Sequence, residues 1–425
     1  MPHHVLYLTP YFPPQGQVGA LRPLKFCRHL PALGWEPVVL ADLHDGATLN
    51  RQLFDAVPSS IPLIYDYSDR ARGAFVRFSA GQLADTRRKP ARPNPLARFV
   101  PRFLDNPELL PLGEHSVHMA HAFRAGLEVL ERLPCEAILA NIDPHATALV
   151  GARLARATGL PLVLDLRDPW SVCELRRPHR PGPLVSIVDR LERSAVEVAS
   201  AVILNTDKTL ADYRAHYADL SPERFTCIRN HCDPTLLGGG HHDGFDRFTM
   251  LFLGHFRRFV EGDILLDALV ELRRRGLGAA DLQLVVTGQC PAATLEHAER
   301  LGVRDMLHLH PFVPYTEIGP IMEAADLLVA LSNRSTQRIP AKLYDYAASQ
   351  RPMLLICDNP EVDTLLDGLA GATSRSLDDV AGVADVVEAT FKAGRQQVVA
   401  RDVTPLSSRV ASEALGRVLD RVAGR

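Results

Sequence analysis

The chain has 425 residues, more than one hydrophobic core usually organises, so two domains are expected. A 46% hydrophobic, 23% charged composition is that of an ordinary globular protein, and a net charge of -3 excludes a general nucleic-acid binder, which needs a basic surface. Seven scattered cysteines without a C-x-x-C pair read as reduced cytoplasmic thiols.

In chain order, the N-terminal residues pass straight into a strand-like run with no signal-peptide pattern. No apolar stretch reaches the roughly 18 residues a bilayer span needs. Short apolar runs at 5–9, 37–41, 137–141, 162–166, 201–204 and 226–229 alternate with helical patterns, which predicts parallel strands buried on both faces. Over 21–33, Leu21, Leu24, Cys27, Leu30 and Leu33 share one helical face, and Pro31 should end that helix early. After a turn-rich break at Gly238 to Gly244 the alternation restarts at 250–253, 284–287, 307–309, 327–330 and 353–356. The last stretch, 407–422, reads as one amphipathic helix that can pack on either domain. The expected fold is α/β, two Rossmann-like doubly wound parallel sheets over 1–240 and 241–406, with a C-terminal helix at 407–425 able to return to the first domain. Ligands of such sheets bind beyond the carboxyl ends of the strands, so two facing sheets would share one cleft.

The segment 70–103 departs from this pattern. It carries nine basic residues against one acid, Asp85, with Phe75, Phe78, Phe99 and Phe103 interleaved. One reading is contact with an anionic membrane surface or phosphorylated lipid, and the other is a solvated loop with its rings tucked into the domain.

Four segments offer chemistry. Tyr11-Phe12-Pro13-Pro14-Gln15-Gly16-Gln17-Val18-Gly19 leaves the first strand for a helix, and Gly16 and Gly19 allow close approach of a ligand. Taken alone, the segment reads first as a tight turn before a helix. Asp165-Leu166-Arg167-Asp168-Pro169-Trp170 places charges at the carboxyl end of a buried strand, where Arg167 and Asp168 can line a cleft or simply pair. Asn141-Ile142-Asp143-Pro144-His145 ends another strand. His145 there can serve as acid or base, donate a hydrogen bond to a substrate hydroxyl, or be structural.

The richest segment is Ser335 to Ala348, STQRIPAKLYDYAA. Pro340 suits the first position of a helix, whose amino end would attract a diphosphate. Lys342, one of five lysines in the chain, adds charge there, and Asp345 can accept two ribose hydroxyls. A surface helix carrying a Lys342 and Asp345 pair is the plainer alternative.

In this order the segments YFPPQGQVGALR, DPHAT, DLRDPW and IPAKLYDYAASQRP resemble the family 4 glycosyltransferases, retaining enzymes of GT-B fold, and within them the branch that works on bacterial surface polysaccharides. The resemblance spans nearly the whole chain. It implies an acceptor side in the first domain and a nucleotide-sugar donor side in the second. It further implies that Gly16 and Gly19 line the donor and acceptor, that His145 lies near the reacting sugar, and that Asp345 binds ribose. Gln337 falls where the family has an acid on the donor sugar. Arg257 or Arg258 supplies a cation for the diphosphate, but Glu261 stands where the family has lysine, so Lys342 would compensate. His231 replaces the glycine of an Asn-Gly-x-Asp turn.

The implied reaction moves a sugar, with UDP-sugars preferred, to a glycan, lipid-linked or small-molecule acceptor, with retention. Arg258, with Arg257 as substitute, and Lys342 would stabilise charge growing on the leaving diphosphate. No D-x-D triplet occurs, so neither a metal nor a cofactor is expected. The expected location is cytoplasmic, with peripheral contact at the inner face of the membrane as an option. The alternatives are an epimerase or hydrolase of the same architecture and a non-catalytic binding partner.

Overall fold

The computed structural model describes residues 3–43, 49–68, 118–142, 144–256, 263–332 and 334–425, and the backbone alone at 74–77 and 84–86. Contacts divide the chain into two units, Met1–Arg229 with Ser408–Arg425, and Asn230–Ser407.

Among the described residues the first unit has nine strands: β1 (His3–Leu8), β2 (Trp35–Ala41), β3 (Leu63–Tyr65), β4 (Ala74–Arg77), β5 (Ala84–Thr86), β6 (Ala137–Ile142), β7 (Leu162–Leu166), β8 (Ala201–Leu204) and β9 (Phe225–Cys227). They lie in the order β5-β4-β3-β2-β1-β6-β7-β8-β9. From β3 to β9 every neighbour is parallel, and β4 and β5 add an antiparallel edge. Apart from these two short strands, the basic segment 70–103 lies outside the described residues.

The second unit holds β10 (Phe248–Leu253), β11 (Leu282–Thr287), β12 (Leu307–His310), β13 (Leu327–Leu331), β14 (Met353–Ile356) and β15 (Ala372–Arg375), all parallel, in the order β12-β11-β10-β13-β14-β15. Met250 and Phe252 enter a core on one face of this sheet, while Leu251 and Leu253 enter a second core on the other. Two covered faces explain why these strands read as unbroken apolar runs. Each such side chain contributes about 1.5–3 kcal/mol on burial. The Gly238–Gly244 run lies within this unit.

The first helix ends at His29, and Leu30–Leu33 continues as a tighter turn containing Pro31, closed by Gly34 at φ 87°. Proline lacks the N–H that would extend the α-helical ladder. The C-terminal helix Ser408–Ala423 packs against helix Leu21–His29 in the first unit, with Ser408 Oγ 2.7 Å from His29 Nε2 and Trp35 Nε1 donating to Asp420 at 2.8 Å. All seven cysteines are unbonded. No helix among the described residues is long and apolar enough to cross a membrane.

Candidate functional site

In the second unit the strand order reverses at β10. Strands β11 and β12 extend to one side and β13 to β15 to the other, so the crevice between β10 and β13 is where an open α/β sheet takes its ligand. These two strands pair only at Met250–Leu327 and Leu251–Leu328. Beyond that, the buried Tyr346 hydroxyl fills the gap. It accepts from Leu253 N at 3.0 Å and donates to Val329 O at 3.3 Å. Tyr346 belongs to helix Ala341–Ala347, whose Leu343 and Ala347 enter the core.

One turn before Tyr346, on the same helical face, stands Lys342. Its ammonium lies 4.0 Å from the Phe252 ring centre and against Gly254, where a Cβ would come within 3.1 Å of Nζ. Gly254 has φ 108° and abuts Gly288, which has φ 130°, so the carboxyl ends of β10 and β11 close on each other without side chains. The tyrosine anchors the helix and the glycine leaves the room that brings a cation to the strand ends.

Asp345, on the next turn, accepts a 2.7 Å hydrogen bond from Tyr315. Burial, followed by the charge of Asp345, pushes the Tyr315 hydroxyl well up, so it stays a donor at any ordinary pH. Tyr315 carries no sequence signal, because it lies in a short turn thirty positions upstream. Pro340 occupies the cap rather than the first helical residue, and the helix is only seven residues long. Its dipole is correspondingly short, and Lys342 adds a localised charge at this edge. Gln337 is buried just before the helix, with its N–H on Ser335 Oγ at 3.3 Å. Arg257, Arg258 and Glu261 lie outside the described residues. His231 is buried with an ordinary negative φ, and Asp233 caps the following turn through Thr235 N.

A cavity of about 600 Å³ lined by Gly238 to Gly244, Met322, Glu323 and Ser349 lies elsewhere. Its lining precedes β10, β13 and β14, which puts it at the amino edge of the sheet, opposite Lys342.

In the first unit the reversal falls between β1 and β6. Gly16 and Gly19 sit in the loop after β1. A Cβ on Gly19 would meet Tyr11 at 3.0 Å and Arg167 Nη1 at 3.2 Å, so the loop closes directly over Arg167. Arg167 and Asp168 face each other at 3.8 Å, both partly exposed. Asp165 has a different part. It is 1% exposed and receives Arg22 Nε at 2.9 Å, Arg22 Nη2 at 2.8 Å and Asn141 Nδ2 at 3.0 Å. Arg22 also donates to Ile228 O and Arg229 O, each at 2.9 Å. The loop after β7 is held by another buried carboxylate, Glu192, which accepts from Tyr213, from Tyr217 at 3.1 Å and from Ser171 N at 3.1 Å. Tyr213 in turn accepts from Trp170 N at 3.0 Å.

His145 begins helix Ala146–Thr158, with its ring edge-on to Trp170 at 4.9 Å. It is 8% exposed, and its Nε2 is buried with no partner among the described residues. Burial, then the charges of Arg176 and Arg180, push its pKa down to about 3, against a smaller opposite pull from Asp168. A neutral imidazole results. It can give or accept a hydrogen bond but holds no proton to deliver as an acid at neutral pH. Among the described residues no group of three or more His, Cys, Asp or Glu is arranged to hold a metal ion.

No protein-family model matches the chain, and no curated protein matches it. Solved structures do match across nearly its full length. Sucrose-phosphate synthase from Thermosynechococcus elongatus has TM-score 0.59 and 11% identity, covering 99% of this chain and 94% of that one. WaaG, a glycosyltransferase involved in lipopolysaccharide biosynthesis, has TM-score 0.54 and 17% identity, over 98% and 95%. A UDP-N-acetylglucosamine 2-epimerase has TM-score 0.52 and 11% identity, over 100% and 97%. Two Rossmann-like parallel-sheet units matching these structures define the GT-B fold.

Proposed function

We propose that the protein transfers a sugar from a nucleoside-diphosphate sugar, with UDP preferred, to an acceptor hydroxyl in polysaccharide or glycoconjugate synthesis. The observation that carries this reading is the Lys342 ammonium held over Gly254 beside the β10 and β13 switch, with Asp345 one turn further on. A diphosphate at that edge meets a fixed cation, and Asp345 accepts ribose hydroxyls. In this proposal Arg258 or Arg257 adds a second charge, Gln337 contacts the donor sugar, and Pro340 sets the start of the helix. As the bond to the anomeric carbon breaks, negative charge grows on the leaving diphosphate, and preplaced cations stabilise it without reorganising. On the first unit, the loop of Gly16 and Gly19 faces donor and acceptor, Arg167 and Asp168 border the acceptor, and neutral His145 lies near the reacting sugar. Retention follows from the family resemblance.

The names of the fold relatives support two readings. WaaG is a transferase, whereas the epimerase, of similar coverage, is named for UDP-N-acetylglucosamine. Gln337, where paired carboxylates would serve an epimerase or hydrolase, favours transfer. Incubation with UDP-, GDP- and dTDP-sugars, with and without polyprenyl-linked or small-molecule acceptors, decides between them. Acceptor-dependent nucleotide release supports transfer, acceptor-free conversion of the sugar supports the epimerase, and binding without turnover supports a non-catalytic partner. Transfer should persist in EDTA, because Lys342 and the arginines carry the charge a metal would otherwise supply.

A further inference from the structure

The turn after Trp170 holds a group of cations that the transfer reading leaves unused. Arg177 is neutralised, with Nη1 at 2.7 Å from Asp189 and 3.0 Å from Ser171 O. Its neighbour Arg176 is half-buried and has no hydrogen bond or ion pair from its side chain among the described residues. Arg180 is 8% exposed and gives Nη1 to Trp170 O at 3.0 Å, again with no carboxylate in salt-bridge range among the described residues. Charged groups that deep are ordinarily paired.

These two guanidinium groups share their surroundings with His145. The His145 ring stands edge-on to Trp170, the residue whose carbonyl holds Arg180. Its Nε2 is buried without a partner among the described residues, and a buried polar atom in that state calls for a bound water or ligand. Three acids of this region are otherwise engaged among the described residues. Asp168 faces Arg167, Asp189 holds Arg177, and Glu192 is taken by Tyr213, Tyr217 and Ser171. The Glu192 clamp fixes Trp170, and so the cluster is set before any ligand arrives. The same two cations that lower the proton affinity of His145 favour an anion beside it.

We propose that His145, Arg176 and Arg180 form an anion-binding site in the first unit, and that the acceptor carries a phosphate or carboxylate group bound there. This rests on the transferase reading for the word acceptor, but the anion site does not. Arg176 supplies a planar fork for two oxygens, Arg180 supplies charge, and His145 donates from Nε2 as the tautomer protonated there.

The test uses the full chain labelled with nitrogen-15, with the His145 ring signals followed as inorganic phosphate is added. Parallel arms add glucose 6-phosphate, glucuronate and glucose. Phosphate should shift the His145 signals, and at least one anionic sugar should bind where glucose does not. Binding of glucose 6-phosphate alone assigns a phosphate group, and binding of glucuronate alone a carboxylate. Arg176→Ala should weaken the anion about ten-fold or more, with part of the loss restored in Arg176→Lys and UDP affinity unchanged. Equal binding of glucose and the anionic sugars, no response of His145 to millimolar phosphate, or an unaltered anion affinity in Arg176→Ala would overturn the proposal. Failure of the wild-type protein to bind UDP would instead strike the transferase reading and leave the anion site standing.

Discussion

Arg22 and Asp165, 143 positions apart, form a two-pronged ion pair buried in the first unit, with Asn141 and two backbone carbonyls completing their hydrogen bonds. The pair ties the end of the β1 loop to β7 and to the chain leaving β9. It turns two apparent ligand motifs into one piece of scaffold, on which Gly19 and Arg167 are carried.

Asp165→Ala leaves the Arg22 guanidinium buried and unpaired, and should cost about 3–5 kcal/mol. Urea unfolding of the full chain measures it. Replacing both partners by apolar residues, Arg22→Met with Asp165→Leu, should cost less than the single change. A single-variant loss below about 1 kcal/mol would show that the pair is not structurally important.

Lys342→Ala should lower affinity for UDP and for pyrophosphate alike by about ten-fold, the scale of one charge-assisted hydrogen bond. Gly254→Ala should act in the same direction without removing charge, because a Cβ there meets Nζ at 3.1 Å and φ is 108°. Calorimetric titration that finds both affinities unchanged in Lys342→Ala sinks the donor site.

Tyr315→Phe removes the hydrogen bond that orients Asp345. UDP affinity should fall a few-fold while pyrophosphate affinity stays put, because only the nucleoside reaches Asp345. Equal loss for both ligands would place Tyr315 outside ribose binding.

His145 has a folded pKa of about 3, below its ordinary value near 6.5, so between those pH values the unfolded chain binds the extra proton. Its contribution to stability is full above about pH 6.5 and is lost as pH falls toward the folded value. From pH 7.5 to pH 5 the loss should reach about 1–2 kcal/mol. Unfolding of the wild type and of His145→Gln at both pH values isolates this contribution, and identical pH slopes would contradict it. For the same reason, kcat/KM should show no ionisation of His145 between pH 5 and pH 8.

The apolar runs of β1, β6, β10 and β11 were legible as doubly covered parallel strands because burial on both faces leaves no room for alternation. The three-residue β3 and the half-buried edge strand β15 carry too little apolar length to stand out. The helical period by itself set Lys342, Asp345 and Tyr346 within one turn of each other, since residues three and four apart share a face. It could not say that Tyr346 would bridge β10 and β13, that Tyr315 would hold Asp345, or that Asp165 would be scaffold while Arg167 stays near the surface. Nor could it say that His145, open to reading as an acid or base, a hydrogen-bond donor or a structural residue, would be neutral. Those outcomes belong to the tertiary structure, because pairing across 143 residues and the removal of water around an imidazole depend on what the fold brings alongside each group, not on its sequence neighbours.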